Sequence, residues 1–187
     1  MTEEVPGAPS ADWALPPDTR RVHFVGIGGV GMSGIAELMN GLGYQVTGSD
    51  AVASATTARL LALGIDVSIG NDAGRVAPAH VVVASAAIPD DHPELVEARQ
   101  RSVSIVRRGV MLAGLTRGKT TVAVTGTHGK STTSSMVALM LTHCGLDPTV
   151  MVGARVGAFE SNCRLGRGPY WVVEADESEP SLLELAP

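Results

Sequence analysis

The sequence predicts an α/β protein, a Rossmann-like doubly wound parallel sheet followed by the start of a second α/β unit of the phosphate-loop ATPase type. Three observations predict it. Short apolar runs of strand length alternate with helix-length stretches, the pattern of parallel sheets with crossover helices. A glycine-rich turn twice follows a strand and opens a helix, around residues 26–31 and 126–131. Of the 187 residues, 44% are apolar but only 3% aromatic, so the core is built from Val, Leu, Ala, Ile and Met. The 22 glycines exceed what turns need and call for close backbone approaches.

Residues 1–19 carry Pro6, Pro9, Pro16 and Pro17 with little apolar periodicity. They read as a disordered leader, with Trp13 resting on the body. From Arg20 the elements follow in order. A buried strand spans 22–27, and a helix over 31–42 stops at Gly43, a natural C-terminal glycine. Strand 44–48 leads to helix 55–63, which again ends on a glycine, Gly64. Strands are expected at 65–69 and 81–85, then a helix over 93–101 opened by Pro93, then strand 103–106. These make a first unit over 20–116, closed by the basic linker Arg117-Gly118-Lys119. The second unit, 117–187, has strand 121–125, helix 131–143 ending at Gly145, and strands 150–152 and 170–174. Another helix is expected to start at Pro180-Ser181. A parallel sheet of about three strands is incomplete as a domain, so this unit is expected to be truncated.

Composition excludes several functions. The formal net charge of −5 argues against nucleic acid, which needs a basic face. No apolar run reaches the roughly 18 residues of a membrane span. Met1-Thr2-Glu3-Glu4 lacks the basic-then-apolar order of a signal peptide. Cys144 and Cys163 are too few for a disulfide framework or a zinc site, which fits a reducing cytoplasm.

The first turn, Gly26-Ile27-Gly28-Gly29-Val30-Gly31, matches G-x-G-x-x-G between a strand and a helix. Such a turn lets a diphosphate approach the backbone and rest on the helix N-terminus. Asp50, 19 positions beyond Gly31 at the end of the next strand, stands where a ribose hydroxyl is often held. NAD, FAD and sugar nucleotides all present a diphosphate, so the motif leaves the nucleotide open. Ser85 lies at the C-terminal edge of the sheet, where ligands of open α/β sheets bind.

The second turn, Gly126-Thr127-His128-Gly129-Lys130-Ser131-Thr132, ends in Gly-Lys-Ser and is shorter than the common phosphate loop. Amide N–H groups would cradle phosphates, Lys130 would neutralise the β/γ-phosphates and Ser131 would place a hydroxyl on Mg²⁺. His128 lies inside the loop and could face the ligand. Two phosphate loops favour a two-substrate enzyme over a dehydrogenase.

Taken together, the residues resemble the Mur ligase family. They are 26–36, Gly48-Ser49-Asp50, 125–133 and Glu174-Ala175-Asp176-Glu177-Ser178, with Ala87-Ile88-Pro89, Asp91-His92-Pro93-Glu94 and Cys144-Gly145-Leu146-Asp147-Pro148 in support. The resemblance implies an ATP-dependent amide ligase of peptidoglycan synthesis. In it the carboxylate of UDP-N-acetylmuramate is activated as an acyl phosphate and joined to L-alanine. ATP and Mg²⁺ are the implied cofactors. Gly28, Gly29, Val30, Gly31, Met32, Asp50 and Ser85 are the implied UDP-sugar contacts, Lys130 the catalytic residue, and Gly126 to Thr132 the ATP loop. Ser131 and Glu174 are the implied metal ligands. The chain resembles the first domain of that family and the beginning of its second. It departs at Ser131 (usually Thr), at Glu177-Ser178-Glu179 (usually Glu-Ser-Asp), at Asn71 (often His) and at Gly109-Val110 (commonly Ala-Glu).

Three alternatives remain. A recycling ligase would join a peptide to the same sugar nucleotide. An NAD-dependent oxidoreductase would explain Gly26 to Asp50 but leave the second loop idle. A non-catalytic nucleotide-binding fragment would use neither for chemistry. Met136, Leu139 and Met140 have core spacing. Histidines 23, 80, 92 and 143 are expected to be surface or satisfied strand-end residues. Arg107-Arg108 could reach an anion, although paired basics after a strand are more often solvated.

Overall fold

The computed structural model describes residues 13–175. They form two sheets joined through one helix. In the first half, β1 (Arg21–Val25), β2 (Gln45–Asp50), β3 (Asp66–Ile69), β4 (Val81–Ala84) and β5 (Ser104–Arg107) form a five-stranded sheet ordered β3-β2-β1-β4-β5. Every pairing in it is parallel. Its central strands β1 and β4 are buried on both faces, and β4 reads as a continuous apolar run. β4 shows why: Val81 and Val83 enter one core with Val22 and Phe24, while Val82 and Ala84 enter another with Val25, Leu95 and Ala98.

Four helices cover the sheet: α1 (Val30–Gly41), α2 (Ala55–Ala62), α3 (Pro93–Gln100) and α4 (Arg108–Thr116). Ser54 and Thr57 form a reciprocal capping box on α2, and Pro93 opens α3 as expected. α4 was not expected from the sequence, where Arg108 to Thr116 offers no polar cap at its start. The short 3₁₀ turn Ala73–Val76 was likewise not foreseen.

The second half contains β6 (Thr120–Val124), α5 (Lys130–His143), β7 (Thr149–Val156), β8 (Ser161–Arg164) and β9 (Tyr170–Glu174). Its sheet is ordered β6-β9-β7-β8. β6, β9 and β7 run parallel as expected, but β7 is longer than expected and turns back antiparallel into β8. The sheet is therefore mixed.

α5 packs on one face of this sheet through Ala138 against Val150, Val152 and Val172. The other face sends Met151, Cys163, Trp171 and Val173 into the same core as α1 and the first sheet. α1 is thus shared by both sheets.

Two expectations are corrected. Met136 and Met140 are 58% and 65% exposed, because the face of α5 that meets the sheet carries the small buried residues Ser134 and Ala138. Trp13 rests on the body as expected, but Leu15 and Thr19, read as part of a disordered leader, pack against it too. The Trp13 ring sits over Gly114 of α4, Arg117 Nη2 donates to the Trp13 carbonyl at 3.2 Å, and Thr19 is buried. The remainder of that leader, 1–12, and the helix start at Pro180-Ser181 lie outside the described residues. None of the described helices is long and apolar enough to cross a membrane.

Candidate functional site

The first glycine loop leaves β1 and is braced by the end of β2. The Ser49 carbonyl accepts from Gly26 N–H and Ile27 N–H at 2.9 and 3.0 Å. Asp50 Oδ2 accepts from Gly28 N–H at 2.7 Å, and Oδ1 from Val52 N–H at 3.2 Å. A Cβ at residue 28 would stand 2.8 Å from Asp50 Oδ2, so a larger residue there would displace the Asp50 carboxylate from the loop. Asp50 stands where the sequence placed it, and the contacts it makes are with the loop backbone.

α1 starts at Val30 with no side chain capping it at Gly29, so its first N–H groups face outward. Met32 is 2% exposed, so the core takes its side chain and only its backbone can serve a ligand. Ser85 lies beside the loop, its Cβ 3.2 Å from where a Gly26 Cβ would be, and its Oγ accepts from Ala87 N–H at 3.4 Å. Of the paired arginines, Arg107 donates to the Ser85 carbonyl and pairs with Asp90 at 2.8 Å. Arg108 lies against Gly31, its Nη1 2.7 Å from where a Cβ would stand.

Beneath the loop is a residue whose role the sequence did not reveal. Glu94 of α3 is fully buried. It accepts from Ser49 Oγ at 2.5 Å and Asp72 N–H at 2.8 Å, and faces His23 Nε2 at 3.4 Å. Burial pushes its carboxyl up, but these three partners outweigh it and hold the group below the usual glutamate range. His23 is buried and satisfied, its Nδ1 2.8 Å from Thr47 Oγ1.

The second loop joins β6 to α5. Gly129 takes φ 77° as the residue before the helix, a conformation that side chains resist, and no side chain caps α5. Lys130 Nζ donates to the Gly126 carbonyl at 2.8 Å and closes the loop, and His128 Nδ1 lies 3.3 Å from Thr127 Oγ1. Ser131 and Thr132 occupy the first turn of α5 with Lys130.

β6 and β9 are neighbours, with Val124 opposite Glu174, so Glu174 ends its strand beside the loop. Its Oε2 accepts from Gly153 N–H of β7 at 2.8 Å. A hydroxyl and a carboxylate are hard oxygen donors, and Mg²⁺ usually takes one or two protein oxygens with substrate phosphates supplying others. Ser131 and Glu174 fit that pattern. Asp176, Glu177 and Glu179 lie outside the described residues.

Between the two halves lies a cleft of about 370 Å³. Val30, Ser33 and Arg59 line one wall, and Gly153, Arg155 and Asn162 the other. It runs from the first helix N-terminus to the strand whose Gly153 N–H holds Glu174. Arg155 and Asn162 went unnoticed in the sequence because the second wall depends on the β7–β8 hairpin, which no turn motif announces, and Arg59 because no motif marks its place on α2.

The family model described as Mur ligase family, catalytic domain, matches residues 21–120. The chain belongs to the Mur ligase family. Among curated Mur ligases, it is 55% identical over 168 residues to the UDP-N-acetylmuramate–L-alanine ligase of Methylibium petroleiphilum, covering 90% of this chain and 36% of that one. It is 55% identical over 170 residues to the enzyme of the same name from Parvibaculum lavamentivorans, covering 91% and 35%. Among solved Mur ligases, the UDP-N-acetylmuramate-alanine ligase of Thermotoga maritima superposes with a TM-score of 0.83 at 38% identity, over 89% of this chain and 39% of that one. The UDP-N-acetylmuramate:L-alanyl-γ-D-glutamyl-meso-diaminopimelate ligase of Neisseria meningitides gives 0.78 at 31%, over 85% and 53%. The chain spans little more than a third of the length of the curated relatives it matches.

Proposed function

We propose that these residues form the sugar-nucleotide-binding and ATP-binding part of a cytoplasmic ligase that joins L-alanine to UDP-N-acetylmuramate. One observation carries the reading. A single cleft connects the N-terminus of α1, behind the first glycine loop, to the strand that orients Glu174 beside the second. The names of the relatives at 55% identity support the same substrates.

In this reading the α1 N-terminus and the backbone of Gly28 to Met32 receive the UDP diphosphate, with Asp50 and Ser85 beside it. The sugar then lies along the cleft with its carboxylate toward α5. That carboxylate attacks the γ-phosphorus of ATP; an O–P bond forms, the bond to ADP breaks, and an acyl phosphate results. The amine of L-alanine attacks the acyl carbon, loses a proton, and inorganic phosphate departs.

Lys130 and the N–H groups of Gly129 to Thr132 stabilise charge on the transferred phosphoryl group, and most of the rate enhancement is positioning and electrostatics. Ser131 and Glu174 would hold Mg²⁺, which supplies positive charge at the phosphates. Glu174 is kept in orientation by Gly153 N–H.

Calorimetric titration with UDP-N-acetylmuramate, with NADH alongside, tests the reading. The sugar nucleotide is expected to bind and NADH to stay silent; the reverse would return the first loop to a dehydrogenase. The likeness to the Neisseria enzyme favours a second reading, ligation of a peptide to the same sugar nucleotide. Phosphate release by the full-length gene product, with L-alanine against a tripeptide, separates the two.

A further inference from the structure

The first turn of α1 is held by a residue from the other sheet. Asn162 of β8 is 6% exposed, and its Nδ2 donates to the Val30 carbonyl at 2.9 Å. Val30 lies inside the first glycine loop, and Ser33 Oγ donates to the same carbonyl at 3.1 Å. Room for the amide exists because residue 34 is glycine. A Cβ there would stand 2.9 Å from Asn162 Nδ2 and 3.3 Å from Met151 Cε. Beside this contact Arg59 Nη1 of α2 donates to Ser161 Oγ at 3.0 Å and to Glu37 Oε2 at 2.8 Å, a second tie between the halves.

We propose that Asn162 is a positioning residue for the first ligand site. By holding the Val30 carbonyl, it sets where the α1 N-terminus lies relative to β7, the strand whose Gly153 N–H orients Glu174. An apolar side chain could fill the same space but would not restrain the carbonyl's direction. Nor would it replace the donor that Asn162 gives this carbonyl, which would keep Ser33 Oγ as its side-chain partner. The distance between the diphosphate seat and the phosphoryl-transfer site is therefore fixed partly by one amide. This inference rests on the reading that a UDP-sugar occupies the first loop.

Asn162→Ala and Asn162→Asp, made in this chain, test it in two arms. Amide hydrogen exchange without ligand is expected to quicken over 26–34 in both variants and to stay at wild-type rates over 130–143. In titrations with UDP-N-acetylmuramate, Asn162→Ala is expected to bind roughly tenfold more weakly, the size of one lost buried hydrogen bond. ATP affinity, the check on folding, should stay within about twofold, since the hydrogen bond that Asn162 donates goes to α1 and not to the second loop.

Asn162→Asp is expected to bind worse still at neutral pH, where its carboxylate faces the Val30 carbonyl and the incoming diphosphate. It should recover, relative to wild type at the same pH, as acidification restores a donor. Unchanged exchange over 26–34 overturns the proposal, as does unaltered sugar-nucleotide affinity in both variants. A loss that acid does not relieve in Asn162→Asp also overturns it, since it would mark a scaffold role. Failure of the wild type to bind UDP-N-acetylmuramate would instead sink the proposed function, while the exchange arm would still decide Asn162.

Discussion

With its amino group turned back onto the Gly126 carbonyl, Lys130 closes the phosphate loop on itself. A bound phosphate would compete for that ammonium with a stronger, charged acceptor. Lys130→Ala is expected to lower ATP affinity by at least about tenfold and to leave UDP-N-acetylmuramate affinity unchanged. Calorimetry on both ligands reads this directly, and equal loss of the two would contradict separate sites. Glu94 carries a pH prediction. Its folded pKa lies below the unfolded one, so its stabilisation is complete above the ordinary glutamate pKa and drains away as pH falls through the lower folded value. Glu94→Gln should therefore be less stable at neutral pH and lose less than wild type on acidification, as urea midpoints between about pH 3 and 7 would record. The two thiols differ as well. Burial first, and then the Glu37 charge, push the Cys163 thiol up to about 12, whereas Cys144 is exposed. Alkylation of the native protein at neutral pH should mark Cys144 alone and reach Cys163 only on unfolding, which peptide mass spectrometry can check.

At the scale of elements, Gly129 joins backbone conformation to ligand chemistry. Its φ of 77° lets the chain leave β6 and enter α5 with the helix N–H groups uncapped. Gly129→Ala should cost about 1–2 kcal/mol and weaken ATP binding together with stability. A thermal melt and an ATP titration would show both, with Gly129→Asn milder in each. The same logic explains what the sequence made legible. β1, β4 and β9 were readable because each carries an apolar run, and glycines 43, 64, 70 and 118 mark where neighbouring strands begin or end. Both loops were readable because their chemistry requires glycine at fixed spacing. α4 was hidden because Arg108 to Thr116 starts without a cap and directly after a strand. β8 was hidden because the turn of residues 157–160 lacks the usual Asn-Gly signal and puts Glu160 at φ 52°. The face of α5 was misjudged because close packing on the sheet selects small residues, Ser134 and Ala138, over large ones. In the candidate site, Asp50 and Lys130 were picked out by motif spacing, Ser85 by its place at the sheet's C-terminal edge and Glu174 by the family resemblance. Asn162, Arg59 and Glu94 come to their places through tertiary contacts that no local pattern encodes.

For the whole molecule, the shared core matters most. Met32, Ile35 and Met39 of α1 lie in one apolar cluster with Phe24 and Val83 of the first sheet and with Met151, Trp171 and Val173 of the second. Two sheets that bury the same helix should lose it together. Unfolding in denaturant is expected to be a single transition, with the fluorescence of Trp171 in β9, that of Trp13 on α4 and far-UV dichroism giving coincident midpoints. Trp13→Phe and Trp171→Phe variants separate the two emitters, and midpoints that split would refute the shared core.

Arg117-Gly118-Lys119 joins two units that look separable along the sequence, yet α1 makes them one body. Severing the chain there would leave a first half with one flank of α1 stripped bare. It would also leave a second half showing water the faces of Met151, Trp171 and Val173. Each piece would carry an adhesive patch on which neither could stay dispersed. Mixed at once, before either has clumped, the two fragments should find each other and restore both loops.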